Sequence, residues 1–310
     1  MSHSTHTYHD DERNQSILIN INGELFPREQ ATVSVFDSAF MLGDGVWEGL
    51  RVHNGKVAFL QTHLDRLYAG AKALDFTPGI TQQALSERIY HTLAENQMRD
   101  GVHLRLMVSR GTKSTPYQDP RVTITPPTIV IIPEYKQALP ETVTRGIDLF
   151  TVHVRRGFPD VQDPKLNSHS KINCIVACIQ ATKAGAAEAL MLDPHGFVAT
   201  CNSTHFFIVR DGQVITSTGQ YCIDGVTRGA VLEICRQNDI PAAQTNFSLS
   251  DVYSADEAFV TGTFAGLVPV TCIDGRDIGE LQGNKDNRGP MVTRLQSLYA
   301  EMLDRECGDG

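Results

Sequence analysis

The sequence predicts an α+β fold in two domains, and three observations carry that reading. Blocks of short apolar strands are separated by single helical stretches instead of alternating with them one for one, which argues against a doubly wound sheet. The chain has 310 residues, about twice the ~150 residues of a usual domain. Residues 155–170 (RRGFPDVQDPKLNSHS) are polar, hold two prolines and lack periodicity, the composition of a connector. The expected division is an N-terminal domain over 1–154, the connector 155–170 and a C-terminal domain over 171–310.

Residues 17–26 (ILININGELF) read as two strands around Asn22-Gly23, and 48–59 repeats the pattern around Asn54-Gly55. Asn-Gly suits both positions because a tight hairpin needs positive φ at its two central residues. In 62–74, Leu64, Leu67, Tyr68, Ala71 and Leu74 fall on one helical stripe. Thr81 can cap a second helix whose Leu85, Ile89 and Leu93 recur every four residues. Strands are expected at 102–110, 127–132 and 147–154. Beyond the connector, a helix over 172–183 is ended by Gly185. Strands follow at 188–193, 196–199, 205–209 and 214–217, separated by turns at Pro194-His195-Gly196 and Asp211-Gly212. Thr227 is the expected N-cap of a helix over 227–237, 258–270 is strand-rich, and Pro290 opens a last helix to about 303.

The formal net charge is −9. That argues against a broad basic surface for nucleic acid and leaves room for a local cationic pocket. No apolar run approaches the roughly 18–20 residues of a membrane span. The polar first sixteen residues lack a signal peptide's apolar core. The seven cysteines are odd in number and include no C-x-x-C, the usage of reduced thiols in the cytoplasm. Cys174 and Cys178 stand one helical turn apart without a second pair at zinc spacing, so no metal is expected.

The common nucleophile, zinc and P-loop patterns are absent. Three local features instead suit an anion. In 223–228 (IDGVTR) a loop through Gly225 runs into a helix, where unpaired N–H groups and the helix dipole attract negative charge. Thr261-Gly262-Thr263 follows an apolar strand and offers hydroxyls beside bare backbone. Arg66, in HLDRL, carries a planar fork matched to phosphate oxygens. Taken singly, these are an ordinary helix start, a strand end and a surface arginine.

Taken together, the segments FMLGDGVWEGLRVHNGKVAFLQTHLDRLYAGAKAL, AGAAEALMLDPHGFVATCNSTHFFIVRDGQVITS, IDGVTRGAVLEIC and AFVTGTFAGLVPV resemble, in order and spacing, the fold-type IV (class IV) pyridoxal-phosphate aminotransferases. That family includes branched-chain, D-amino acid and (R)-amine transaminases and aminodeoxychorismate lyase. The resemblance implies a small α/β N-terminal domain, a larger pseudo-barrel C-terminal domain, pyridoxal 5'-phosphate as cofactor and a homodimer. It implies an amino donor and a 2-keto acid acceptor as partners, exchanged in ping-pong fashion. Arg66, Val226, Thr227, Gly262 and Thr263 match the residues that hold the cofactor phosphate. Trp47 and Arg51 fall in the block that lines the substrate pocket, although a lone tryptophan could equally pack in a core. Arg105 is a further substrate-side candidate, Arg110 is a candidate to hold a substrate carboxylate although a strand-end surface arginine reads equally well, and Tyr117 could close over the substrate.

Two positions depart from the family pattern. The cofactor's aldehyde needs a lysine amine, yet gap-free alignment of the following helix puts Asn167 at the usual place. Lys171, next to that helix, is preferred over Lys165 in the connector. Thr200 stands where a glutamate usually faces the pyridine nitrogen, and a hydroxyl supplies no counter-charge. A lyase of the aminodeoxychorismate type, or a cofactor-binding homologue with weak catalysis, therefore stays open beside the transaminase.

Overall fold

The computed structural model describes residues 4–279 and 288–308. The chain divides into two compact units. The N-terminal unit comprises the described residues of His9–Gln137, Leu166–Lys171 and Leu303–Gly310. The C-terminal unit comprises those of Met1–Tyr8, Ala138–Lys165 and Ile172–Met302.

The N-terminal unit holds β1 (Leu18–Ile21), β2 (Glu24–Pro27), α1 (Ser38–Leu42), β3 (Gly45–His53), β4 (Lys56–Val57), α2 (Leu60–Ala73), α3 (Gln82–Glu95), β5 (Val102–Ser109) and β6 (Thr128–Tyr135). Its six strands form an antiparallel sheet in the order β2-β1-β6-β5-β3-β4. Both Asn-Gly turns take the expected positive φ at both residues. Alternation along the strands divides the sheet into two faces. One face buries Val46, Leu50, Leu104, Leu106 and Ile131 against Leu64 and Leu67 of α2 and Leu85 and Ile89 of α3. The other carries Trp47, Gly49 and Arg51 of β3, paired with Met107, Arg105 and His103 of β5. Trp47 is thus placed by the strand's period outside the core.

The C-terminal unit holds α4 (Pro140–Arg145), β7 (Ile147–Thr151), α5 (Pro159–Gln162), α6 (Ile172–Lys183), β8 (Glu188–Leu192), β9 (Val198–Cys201), β10 (His205–Arg210) and β11 (Gln213–Thr216). It continues with α7 (Val226–Gln237), β12 (Ala242–Gln244), α8 (Leu249–Tyr253), β13 (Glu257–Gly262), β14 (Gly266–Ile273), β15 (Arg276–Asp277) and α9 (Pro290–Cys307), whose last turns count with the other unit. The sheet runs β12-β11-β10-β13-β14-β7-β8-β9, with β15 beside β14. Its parallel pairs are β11/β12, β14/β7 and β7/β8. Ala177 and Ala181 of α6 pack on Ala189 and Met191 of β8. The opposite side of α6 exposes Ile172 (68%), Ile175 (49%) and Ile179 (48%).

Three expectations change. The division falls between Gln137 and Ala138, ahead of the break expected after residue 154, because β7 is hydrogen-bonded into the C-terminal sheet between β14 and β8. The connector is also not a single tether, since 166–171 returns to the N-terminal unit. Thr227 is not the cap of its helix: Gly225 is the extended N-cap and the helix begins at Val226. The elements α1, α5 and α8, of four or five residues each, are too short for periodicity to announce. All seven cysteines are unpaired. Burial pushes the Cys235 thiol up to about 11, which leaves it protonated and unreactive.

Candidate active site

In the N-terminal unit, the segment 166–171 lies along β3 as a short extra edge. An antiparallel bridge joins Val46 to Ser168. The Trp47 amide donates to Asn167 O at 3.1 Å, and the His169 amide donates to Gly45 O at 3.0 Å. Gly45 permits this approach: a Cβ there would meet Val108 O at 2.6 Å and His169 Cδ2 at 3.0 Å. Side chains reinforce the pairing. Trp47 Nε1 donates to Ser168 O at 3.1 Å, and Asn167 Nδ2 donates to Trp47 O at 2.6 Å. The segment delivers Lys171 Nζ to 3.0 Å from Asn167 Oδ1 and 5.2 Å from the Trp47 ring centroid.

The Arg105 guanidinium carbon stands 3.8 Å over the same ring, in the geometry of a cation–π contact. Burial pulls the Arg105 pKa below its ordinary value, against the opposing charges of Glu134 and Glu48. Burial likewise lowers the pKa of His169, whose Nε2 lies 3.1 Å from Val46 O. The structure thus brings Trp47, Arg105, Asn167, His169 and Lys171 together. Lys165 is exposed and belongs to the C-terminal unit. Arg51 shares the Trp47 face, four residues along β3.

Arg110 is placed differently from its expected role. Its Nε and Nη2 hold Asp44 at 2.7 and 3.1 Å, and the same guanidinium donates to Leu74 O at 2.6 Å and Asp75 O at 3.0 Å. It therefore closes the C-terminal end of α2. Tyr117 is exposed.

Arg66 projects from α2 onto Glu48, which faces away from Trp47 on β3. Arg66 Nε donates to Glu48 Oε1 at 2.8 Å and Nη2 to Oε2 at 2.6 Å. His63 Nδ1 lies 2.7 Å from the same Oε2. A carboxylate only accepts, so His63 donates from Nδ1. Burial alone would push the Glu48 carboxyl up, but hydrogen bonds from His63 and Arg66 outweigh it and hold the carboxyl below its usual range. Arg66 is thus held in one orientation by a buried acid.

In the C-terminal unit, α7 starts without a side-chain cap, and Val226 and Thr227 are buried at its first turn. Gly225 is required there for space. Its φ of −68° suits any residue, but a Cβ would fall 2.2 Å from His205 Nε2. Gly262 ends β13, and a Cβ on it would lie 3.4 Å from the Thr204 methyl. Thr204 and His205, at the start of β10, thus stand beside Gly262 and Gly225 respectively, with Thr263 half-buried next to Gly262. The Thr261 hydroxyl is buried and has no hydrogen-bond partner among the described residues. Thr200 Oγ1 donates to Thr204 O at 2.8 Å, so its remaining capacity is that of an acceptor. Glu188, buried nearby, accepts from Thr204 Oγ1 at 2.8 Å and from Thr5 Oγ1.

A protein-family model for amino-transferase class IV matches residues 45–273. The chain belongs to the class IV aminotransferases. This class IV aminotransferase is 39% identical over 291 residues to the "branched-chain-amino-acid aminotransferase-like protein 2" of Arabidopsis thaliana, covering 94% of its own length. It spans about half (51%) of that relative. It is 38% identical to the "putative branched-chain-amino-acid aminotransferase" of Methanocaldococcus jannaschii, covering 92% of this chain and 96% of the relative. Among solved structures, a branched-chain amino acid aminotransferase with pyridoxamine 5'-phosphate superposes with a TM-score of 0.86 at 29% identity, covering 94% of this chain and 95% of that one. The branched-chain aminotransferase of the archaeon Thermoproteus uzoniensis, solved with norvaline, superposes with a TM-score of 0.83 at 26% identity, with 94% and 96% covered.

Sequence reasoning missed Glu48 and His63 as the partners of Arg66. It named Asn167 only as the residue in the lysine's usual place. The odd-numbered alternation of Trp47, Gly49 and Arg51 was the available signal for a functional face.

Proposed function

We propose that this class IV aminotransferase binds pyridoxal 5'-phosphate and moves an amino group from an amino acid to a 2-keto acid in a ping-pong cycle, with Lys171 as the attachment lysine. The observation that supports it most is the delivery of the Lys171 amine beside the Trp47–Arg105 pair by a segment pinned along β3. The residues fit the cofactor. The uncapped start of α7 offers N–H groups to a phosphate. Gly225 leaves room that a side chain would fill, and Thr227 and Thr263 offer hydroxyls. We assign Val226, Thr227, Gly262, Thr263 and Arg66 to the phosphate.

When bound, the cofactor supplies an aldehyde for the amine and a ring that accepts electrons from the substrate's Cα. Lys171 carries the proton to and from that carbon as general base and acid. Arg105 holds the substrate carboxylate in place of the engaged Arg110, and Arg51 lines the pocket with Trp47. Thr200, whose hydroxyl is left with acceptor capacity only, would offer that oxygen to the ring nitrogen. We further infer a homodimer, which would cover the apolar side of α6, and a cytoplasmic location, which suits seven unpaired thiols. No described helix is long and apolar enough to cross a membrane.

The test adds pyridoxal phosphate to the purified chain, reduces the product with borohydride and maps the modified peptide. The cofactor is then followed spectroscopically with a panel of L- and D-amino acids, using pyruvate and 2-oxoglutarate as acceptors. The expected result is a visible cofactor band, a pyridoxyl group on Lys171 and loss of the band with the donor. Absence of the band, or label on Lys165, overturns the assignment.

A further inference from the structure

We infer that Asn167 is a positioning residue for the Lys171 amine, acting through its carbonyl oxygen; this rests on the reading of Lys171 as the attachment lysine. Three observations lead there. Asn167 is buried, with 7% of its surface exposed. Its two polar ends are fixed in opposite senses. Nδ2 donates to Trp47 O at 2.6 Å, and a main-chain carbonyl only accepts, so the amide cannot be flipped and Oδ1 must face Lys171. Lys171 Nζ lies 3.0 Å from that oxygen, four residues along the chain. The lysine side chain therefore folds back over the segment to the buried place of Asn167. An amine attached at one backbone position is presented at another.

The chemistry of an amide, as opposed to an acid, matters here. An amide oxygen accepts from an ammonium and from a neutral amine, since both keep N–H donors. It fixes the direction of the nitrogen without pairing its charge. Attachment to an aldehyde needs the neutral amine: nitrogen adds to the carbonyl carbon, its protons pass to the oxygen, and water leaves. A carboxylate at residue 167 would instead stabilise the ammonium and raise the lysine pKa. The groups around Lys171 carry charges of both signs. Arg105 faces the cluster from β5, and His169, from the same segment, feels Arg105, Lys171 and Asp37 from the start of α1. A neutral acceptor at residue 167 leaves that set unchanged; an acid would add a negative charge beside Nζ.

The experiment measures the rate of pyridoxal phosphate attachment against pH, by borohydride trapping and intact mass, in the full chain and in Asn167→Asp, Asn167→Ser and Lys171→Ala. Lys171→Ala tests only the lysine assignment: label that persists on Lys165 overturns that reading. Asn167→Asp is isosteric, and its half-maximal attachment rate is expected to move up by about one pH unit. Asn167→Ser is expected to attach about tenfold more slowly at every pH, with no displacement of the profile. A merely structural asparagine would lower the melting temperature in both variants and leave both profiles on that of the parent. If the full chain labels Lys171 and Asn167→Asp titrates as the parent does, the inference about Asn167 fails while the lysine assignment stands.

Discussion

The two units solve the same kind of problem, holding polar groups in fixed directions, by different means. The C-terminal unit builds the loops proposed to hold the cofactor phosphate from backbone. Its requirements are an uncapped helix start, a glycine with His205 against it and a second glycine beside Thr204. The N-terminal unit builds from side chains: Arg66 clamped by Glu48, Arg105 stacked on Trp47, and Lys171 folded back to Asn167. Backbone donors keep their direction as long as the loop keeps its shape, so that region should be sensitive to added volume. Side-chain donors keep theirs only while each partner is present, so that region should be sensitive to lost charge and lost hydrogen bonds.

The largest effect should come from adding one carbon to the backbone-built loop. Gly225→Ala would put a Cβ 2.2 Å from His205 Nε2, and a shift of the α7 start should weaken pyridoxal phosphate affinity by roughly two orders of magnitude. Calorimetric titration of the apo protein measures it. His205→Ala in the same chain should recover most of the loss; no recovery would show that steric crowding is not the cause.

Next comes Glu48→Gln, the matching perturbation of the side-chain-built region. It breaks a buried ion pair and should cost about 3 kcal/mol of stability at neutral pH, read by denaturant unfolding. The pH dependence has a defined sign. The folded Glu48 pKa is depressed, so its contribution is present above the unfolded carboxylate range and is lost as pH falls through the folded pKa. The variant's stability should lack that acid-side loss. A parallel fall in both proteins would remove Glu48 from the account.

Arg105→Gln should raise KM for the keto acid by about tenfold or more, the size of a lost charge-assisted hydrogen bond. Arg110→Gln should leave KM nearly unchanged and lower the melting temperature, because Arg110 holds Asp44 and the end of α2. A reversed pattern would return the substrate role to Arg110. The smallest effect is expected at Thr200. Thr200→Val removes one hydrogen bond to Thr204 O and should slow the half-reaction by about fivefold with little change in KM; an unchanged half-reaction rate would count against Thr200 at the ring nitrogen.

These two modes of construction also explain what could be read in advance. The loops around Gly225 and Gly262 were legible because glycine before a helix and at a strand end is a local pattern. Even there the cap differs from the local pattern: Thr227 has the chemistry of a cap, but Gly225, two residues earlier, is the extended N-cap and Thr227 lies inside the first turn. Arg105 and Arg110 are indistinguishable as letters in one apolar run. Arg105 lies within β5 on the Trp47 face, whereas Arg110 lies just past the end of the strand and meets Asp44.

The sequence by itself determined what depends on near neighbours along the chain: the α+β class, the hairpin turns at Asn22-Gly23 and Asn54-Gly55, the helical stripes, and the family through its ordered motifs. Tertiary structure decided which distant groups meet. β7 joined the C-terminal sheet and moved the division of the chain, 166–171 returned to β3, and the lysine came to a buried asparagine. Local conformational preference acts over a few residues. Pairings between strands and segments more than a hundred residues apart, such as Trp47 with Asn167, are set by which edges and faces remain to be satisfied once the whole chain has packed.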